Sequence, residues 1–343
     1  MSFRLKRAQP WAPAGYEVAW NQLRYGMNAR AARSTAPSRT GCQPVLSEAS
    51  STLTVTSPRL SATFSRATGT LSELVLDGKT ILADRAGIVA GPRLQVERAF
   101  TDADNWMRGP FMAAGLSQLS FHPRAITATT NADGSVTVTI PVRVTGAKSG
   151  GFEHAVCWTF RTDGTIDLEN EVTPFGDVPA LPRVGVFMRL DGALENMRYY
   201  GRGPWENAID RNTGCDIGLY RSTVTEQYVD YIRPQDCGGK TDVRWAEFTD
   251  PKDGRGVRIT GDGAPFMMQA LHFTREDLDQ ARHRPGDPRR DNPLVPRAEV
   301  CLSIDCRQTG LGCNNCGPIP LSQYRFPVEK TTWRCRLRAV PPR

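Results

Sequence analysis

The chain is poor in lysine and histidine, with six Lys and four His among 343 residues. Its basic charge is therefore almost all arginine, 37 of 43 basic residues against 36 acidic ones, for a net charge of +7. No apolar run approaches the roughly 18 residues of a membrane-spanning helix, so no such helix is expected. The opening Met1-Ser2-Phe3-Arg4-Leu5-Lys6-Arg7 has no apolar stretch behind its charges, and no Asn-x-Ser/Thr triplet occurs anywhere, so a secretory leader is not expected. No segment of about 20–50 residues repeats, which excludes solenoids and propellers. Strands alternating regularly with long helices are missing too, and with them any sign of a (β/α)₈ barrel.

What is present is ample core material: 39% hydrophobic residues, with 13 Phe, 8 Tyr and 7 Trp. That composition excludes wholesale disorder. A nucleic-acid binder would gather its basic residues into one stripe. Here they are scattered, and the densest patch, from Arg282-His283-Arg284 to Arg289-Arg290, is broken by Asp287 and Asp291. No nucleic-acid partner is expected. The nine cysteines (Cys42, Cys157, Cys215, Cys237, Cys301, Cys306, Cys313, Cys316 and Cys335) are odd in number, and the chain is long. Neither fits a small disulfide scaffold, so a reducing, cytoplasmic setting is expected.

Residues 1–26 hold two strand-like pieces, Phe3–Lys6 and Tyr16–Leu23, around a Pro-rich turn. Two strands cannot bury a core alone. They read as the C-terminal remnant of a domain that begins elsewhere, followed by a small-residue, aperiodic linker over 27–50. From 51 to 343 the pattern is short period-2 runs: Leu53–Thr56, Leu60–Phe64, Val136–Ile140, and Phe152–Val172 broken at Asp163-Gly164. Asp-Gly recurs at Asp77, Asp133, Asp163, Asp191, Asp253 and Asp262, as tight hairpins require. One short helix is expected at Thr274–Ala281, capped by Thr274 with Asp277 at the third position. The expected class is all-β, a large antiparallel sandwich.

The densest chemistry lies between Arg198 and Trp245. Trp205, Glu206, Asn207, Asp210, Arg211, Tyr228 and Arg233 combine rings, amides, carboxylates and guanidinium forks, as a sugar-binding surface does. The same residue types also tie long loops to a sandwich, and Asp210 beside Arg211 reads as a structural ion pair. Cys313-x-x-Cys316 matches half of a zinc site, but with Cys301 and Cys306 flanking a strand-like run, ordinary thiols are the expectation and no metal site is assigned. His272 facing Glu206 is the one arrangement resembling a His acid opposite a carboxylate base; a structural histidine is the simpler reading.

The run Tyr200-Gly201-Arg202-Gly203-Pro204-Trp205-Glu206-Asn207, with Asp210-Arg211 and Thr213-Gly214 after it, resembles a signature of the C-terminal, small-chain domain of glycoside hydrolase family 2 β-galactosidases. So do Glu226-Gln227-Tyr228-Val229, Arg233-Pro234-Gln235, Lys240-Thr241-Asp242-Val243-Arg244-Trp245, Leu181-Pro182-Arg183-Val184-Gly185, His272-Phe273-Thr274 and Gly310-Leu311-Gly312 with Cys316-Gly317-Pro318. The stretch Pro10–Trp20 resembles the end of the preceding immunoglobulin-like domain. The resemblance implies a galactose-mutarotase-like supersandwich over 51–343, preceded by terminal strands of an immunoglobulin-like β-sandwich in 1–26.

It also implies a function: the C-terminal part or small subunit of a β-galactosidase, hydrolysing terminal non-reducing β-D-galactose. In that family the two carboxylates of the retaining mechanism sit on an upstream barrel, so no catalytic residue is expected in this chain. The implied partners are a galactoside or galactose and a catalytic large chain, or self-assembly. No cofactor is expected here, and Mg²⁺ and Na⁺ belong with the catalytic domain. The implied substrate-facing loop carries Gly312, Asn314, Asn315 and Cys316, without the Trp some relatives place there.

Two further departures stand out. Arg98-Ala99-Phe100-Thr101-Asp102-Ala103-Asp104 lacks a Pro and an Asn of the family pattern, which is expected to loosen a turn, and Gln235-Asp236-Cys237-Gly238 replaces Gln-Glu-Asn-Gly. The alternatives are a stand-alone carbohydrate-binding module on the Tyr199–Trp245 surface, or an aldose-epimerase-like enzyme using His272.

Overall fold

A computed structural model describes residues 1–23, 43–148, 150–281 and 294–342. They fall into a first unit, Met1–Ser38, and a second, Arg39–Arg343. In the first, β1 (Ser2–Arg4) pairs antiparallel with β2 (Glu17–Trp20), with Phe3 opposite Ala19. Both strands are shorter than the sequence pattern suggests. Trp11 and Tyr16 meet edge to face at 5.6 Å, and Phe3, Val18 and Trp20 are exposed.

The second unit starts earlier than expected. Residues 27–42 of the expected linker lie outside the described residues, but its tail, Val45–Glu48, is strand β3. It opens a five-stranded meander through β4 (Thr52–Ser57), β5 (Leu60–Ser65), β6 (Thr70–Leu76) and β7 (Lys79–Ala83). The β6–β7 turn is the two-residue Asp77-Gly78, both at positive φ (49° and 73°), the conformation that an Asp-Gly hairpin supplies. The stretch also contributes β8 (Arg93–Gln95) to another sheet.

A ten-stranded sheet dominates. It contains β9 (Ser120–Pro123), β10 (Thr127–Thr130), β11 (Val136–Thr145), β12 (Gly151–Phe160) and β13 (Ile166–Phe175), and later β15 (Asn196–Gly203), β16 (Asp216–Thr223), β18 (Trp245–Thr249), β19 (Gly256–Gly261) and β22 (Thr331–Val340). The order is β10-β11-β12-β13-β22-β19-β18-β15-β16, with β9 also on β11, so the C-terminal strand joins the two halves. A third sheet takes β14 (Arg183–Leu190), β17 (Lys240–Val243), β20 (Phe266–Leu271) and β21 (Val300–Gln308) in the order β17-β20-β21-β14-β8.

Strict alternation explains the layering. β5 and β12 bury every second side chain, as sheets with one inward face must. Phe64 of β5 lies edge-on to Trp158 and Phe160 of β12, with ring centroids 6.2 and 6.0 Å apart, so the meander packs on the large sheet. One continuous apolar core runs from Leu53 to Leu337.

α2 (Arg275–Gln280) matches the expected helix. Thr274 Oγ1 accepts from the Asp277 amide at 3.3 Å, and the Asp277 carboxylate accepts from the Thr274 amide at 2.8 Å. The sequence reading missed α1 (Asn105–Ala113), whose Gly109-Pro110 pair argues against a helix. Burial of Met107 and Phe111, one helical turn apart, outweighs that local preference.

Phe64 is fully buried. Phe64→Ala is expected to lower stability by about 3–5 kcal/mol, read as a shifted urea midpoint at unchanged slope; a loss below about 1 kcal/mol would contradict the packing described.

Candidate functional site

Between β8 and α1 the chain turns through Arg98 and Asp104, respectively 2% and 0% exposed. They form a forked ion pair, Nε to Oδ2 at 3.1 Å and Nη2 to Oδ1 at 2.6 Å. Asp104 also accepts from the Thr101 amide (2.9 Å) and hydroxyl (3.0 Å). Arg98 donates onward to the Thr309 carbonyl at 2.8 Å and the Gly310 carbonyl at 3.4 Å. Burial alone would lower the Arg98 pKa; Asp104 more than offsets this, and the guanidinium is held above its ordinary value. The sequence departures in this turn thus leave it tightly tied, a correction to the expected loosening.

The Gly-rich loop of 309–317 rests on this arginine and is gripped from a second segment. The two carboxylate oxygens of Asp210 accept from the amides of Leu311 (3.0 Å) and Gly312 (2.8 Å), and Arg211 donates to the Gly312 carbonyl. Asp210 and Arg211 therefore hold the loop side by side rather than pairing with each other as expected. A Cβ at Gly310 would lie 2.7 Å from Asp210 Cγ, so only glycine permits this approach. Gly312 sits at φ +67° against Pro320.

The tip is a turn, with the Cys316 and Gly317 amides on the Cys313 carbonyl at 3.1 and 2.7 Å. Asn314 is half-buried and donates to the Gly317 carbonyl at 3.1 Å; Cys313, Asn315 and Cys316 are exposed.

Around it the other sequence-selected residues separate. Trp205 is 72% exposed. Glu206 accepts from the Gly238 amide at 2.7 Å and from the Tyr231 hydroxyl. Burial and then Glu206 raise the Tyr231 pKa. Burial pushes Lys240 down to about 8, with Glu206 the leading opposing charge. Asn207 is buried and bonds the Arg202 and Trp205 carbonyls and Thr241, its Oδ1 accepting from the Thr241 hydroxyl at 2.6 Å and amide at 3.0 Å. Tyr228 packs on Phe273 at 4.9 Å, and Arg233 meets Asp102 at 2.8 Å in an exposed pair. His272 is not with Glu206: its Nε2 meets Glu195 at 2.8 Å and its Nδ1 the Glu299 carbonyl at 3.0 Å. With both ring nitrogens engaged, it has no nitrogen left for a substrate.

Sequence reasoning did not single out the second buried polar cluster. Arg183 reaches Asp236 at 3.3 Å, Gln269 at 3.3 Å and Asp305 at 3.6 Å, and Gln269 donates to Asp236 (2.9 Å) and the Cys237 carbonyl (2.6 Å). Burial pushes Asp305 up to about 6, with Arg183 and Gln308 opposing. The sequence signal for it is an acid, Asp305, inside the apolar run of β21. The eight described cysteines are free, and among the described residues no three metal-ligating side chains gather. No described helix is long and apolar enough to cross a membrane.

A family model described as beta galactosidase small chain matches residues 56–337. A beta-galactosidase of Priestia megaterium is 31% identical over 91% of this chain and 28% of its own length. Beta-galactosidase BgaC of Bifidobacterium adolescentis is 28% identical over 96% of this chain and 30% of its own. The chain thus spans less than a third of these curated relatives. Among solved structures, galactose 1-epimerase of Lactobacillus acidophilus is similar at a TM-score of 0.48 and 12% identity, covering 88% of this chain and 99% of that one.

Two outcomes test this geometry. Asp210→Ala leaves two loop amides without their acceptor and is expected to cost about 1–3 kcal/mol in urea unfolding; no loss would contradict the grip. Asp305 binds its proton more tightly folded, at about 6, than unfolded, where a carboxyl titrates near 4. Between those values the folded state holds more protons, so this group's contribution falls as pH rises. The wild type should lose stability relative to Asp305→Asn between about pH 4 and 6; parallel profiles would contradict the assignment.

Proposed function

We propose, on the premise that this chain belongs to the β-galactosidase small-chain family, that it completes the active site of a β-galactosidase acting on terminal non-reducing β-D-galactose. In this reading the acid/base and nucleophile carboxylates lie on a barrel outside this sequence, in a catalytic large chain or a preceding segment. The observation that carries the reading is the 309–317 loop, gripped by Arg98, Asp210 and Arg211 yet presenting Asn315 and Cys316 to solvent. A loop so held offers a rigid wall over a sugar without moving protons. The carboxylates closest to it suit that role, because Asp104 is taken up by Arg98 and Thr101, and Asp210 by backbone amides.

Mg²⁺ and Na⁺ go with the catalytic domain in this reading. The free thiols accord with a cytoplasmic setting. The exposed Trp205 ring favours one other reading, a stand-alone carbohydrate-binding module.

The test is hydrolysis of a nitrophenyl β-galactoside by the purified chain, alone and mixed with a separately expressed barrel-containing partner. No turnover alone and restoration on mixing is expected. Turnover by the chain alone would overturn the proposal, because it demands a carboxylate pair within this sequence. Silence in both tubes with saturable galactose binding would favour the binding module instead.

A further inference from the structure

We propose that the cavity along the free edge of β8 binds a small organic anion of hexose size, with Arg93 as its anchoring cation. The cavity measures about 290 Å³ and lies between Arg93–Glu97 and the chain at 116–121. β8 is the last strand of its sheet and pairs only with β14, so its other edge is free to face a ligand.

Three arginines line the space, and their commitments differ. Arg275 is taken by Glu97 and Glu276, both at 2.7 Å, and Asp279 at 3.6 Å. Arg189 is partly taken, by Glu299 at 3.4 Å and the Val89 carbonyl at 3.0 Å. The Arg93 side chain has no hydrogen bond or ion pair among the described residues, and its Nε is buried. Its guanidinium lies over the Phe121 ring at 4.8 Å, while Arg189 lies over Phe187 at 4.9 Å. Aromatic stacking fixes both planes without neutralising either charge.

Burial lowers the Arg93 pKa; the Asp84 carboxylate opposes this only in part, and neighbouring Arg189 adds a smaller push downward. A half-buried cation beside a second cation, in an open cavity, is a site whose electrostatics an anion would balance. The stacked rings offer apolar walls for the body of the ligand, and Gln118 stands exposed at the rim. This inference is independent of the hydrolytic reading above.

Isothermal titration of the full 343-residue chain with galacturonate, galactose 6-phosphate and neutral galactose tests it. At least one acid should bind saturably, and at least about tenfold more tightly than galactose. Its affinity should fall at least about tenfold in Arg93→Gln, with the thermal midpoint checked for folding. Gln118→Glu, at an exposed position that does not threaten folding, should weaken the same acid by adding a competing carboxylate. Which acid binds distinguishes carboxylate from phosphate. The proposal is overturned if neither acid saturates by about 10 mM, if galactose binds as well, or if binding survives both substitutions.

Discussion

The buried pair of Arg98 and Asp104 is the constraint on which the rest of the candidate site depends. Removing two charges from water is costly, and the arrangement stands only because nearly every donor and acceptor is used. The fork of Arg98 meets both oxygens of Asp104, and its remaining reach goes to the carbonyls of Thr309 and Gly310. Thr309 in turn bonds the Pro182 and Leu181 carbonyls, each at 2.8 Å. Three segments far apart in sequence are thereby held at one point, and the Gly-rich loop emerges from it with its base fixed.

The arginine bias of the composition has its physical explanation here. A lysine could supply charge at these places but not two parallel donors in one plane. Arg98 on Asp104, Arg297 on Asp277 and Arg202 on Asp242 and the Cys215 carbonyl all use the fork to join a carboxylate or a carbonyl across loops. The sandwich provides stiff sheets, and these forks convert stiffness into loop position. Arg93 differs: its guanidinium stacks on Phe121, and its buried Nε has no hydrogen-bond partner among the described residues.

The strands were the most legible part of the molecule. Val136–Thr145 and Gly151–Phe160 show the two-residue period in sequence and bury alternate side chains in the structure. Helix α1 was not legible, because Gly109-Pro110 speaks locally against it while the burial that decides the matter is tertiary. The strand at Val45–Glu48 was masked by small and polar neighbours; its pairing with Leu53–Thr56 is a property of the partner strand. In the site, the Trp205–Arg211 segment stood out correctly as dense in polar chemistry, but sequence gave no means of telling ligands from ties. Asn207 and Asp210 bond to backbone that lies 34 and about 100 residues away, a separation that no local pattern encodes. His272 shows the same limit: its carboxylate partner is Glu195, 77 positions distant.

The most direct test of the claim that Arg98 sets the loop is amide hydrogen exchange at 309–317 in Arg98→Met, with the strand around Trp158 as an internal reference. The account predicts that exchange at Leu311, Gly312 and Gly317 accelerates while protection at Trp158 is kept. Unchanged exchange in the loop would contradict it, because Asp210 and the turn alone would then suffice to hold that segment. Equal loss of protection at the loop and at Trp158 would contradict it as well, since Arg98 would then serve the whole fold and not the loop in particular.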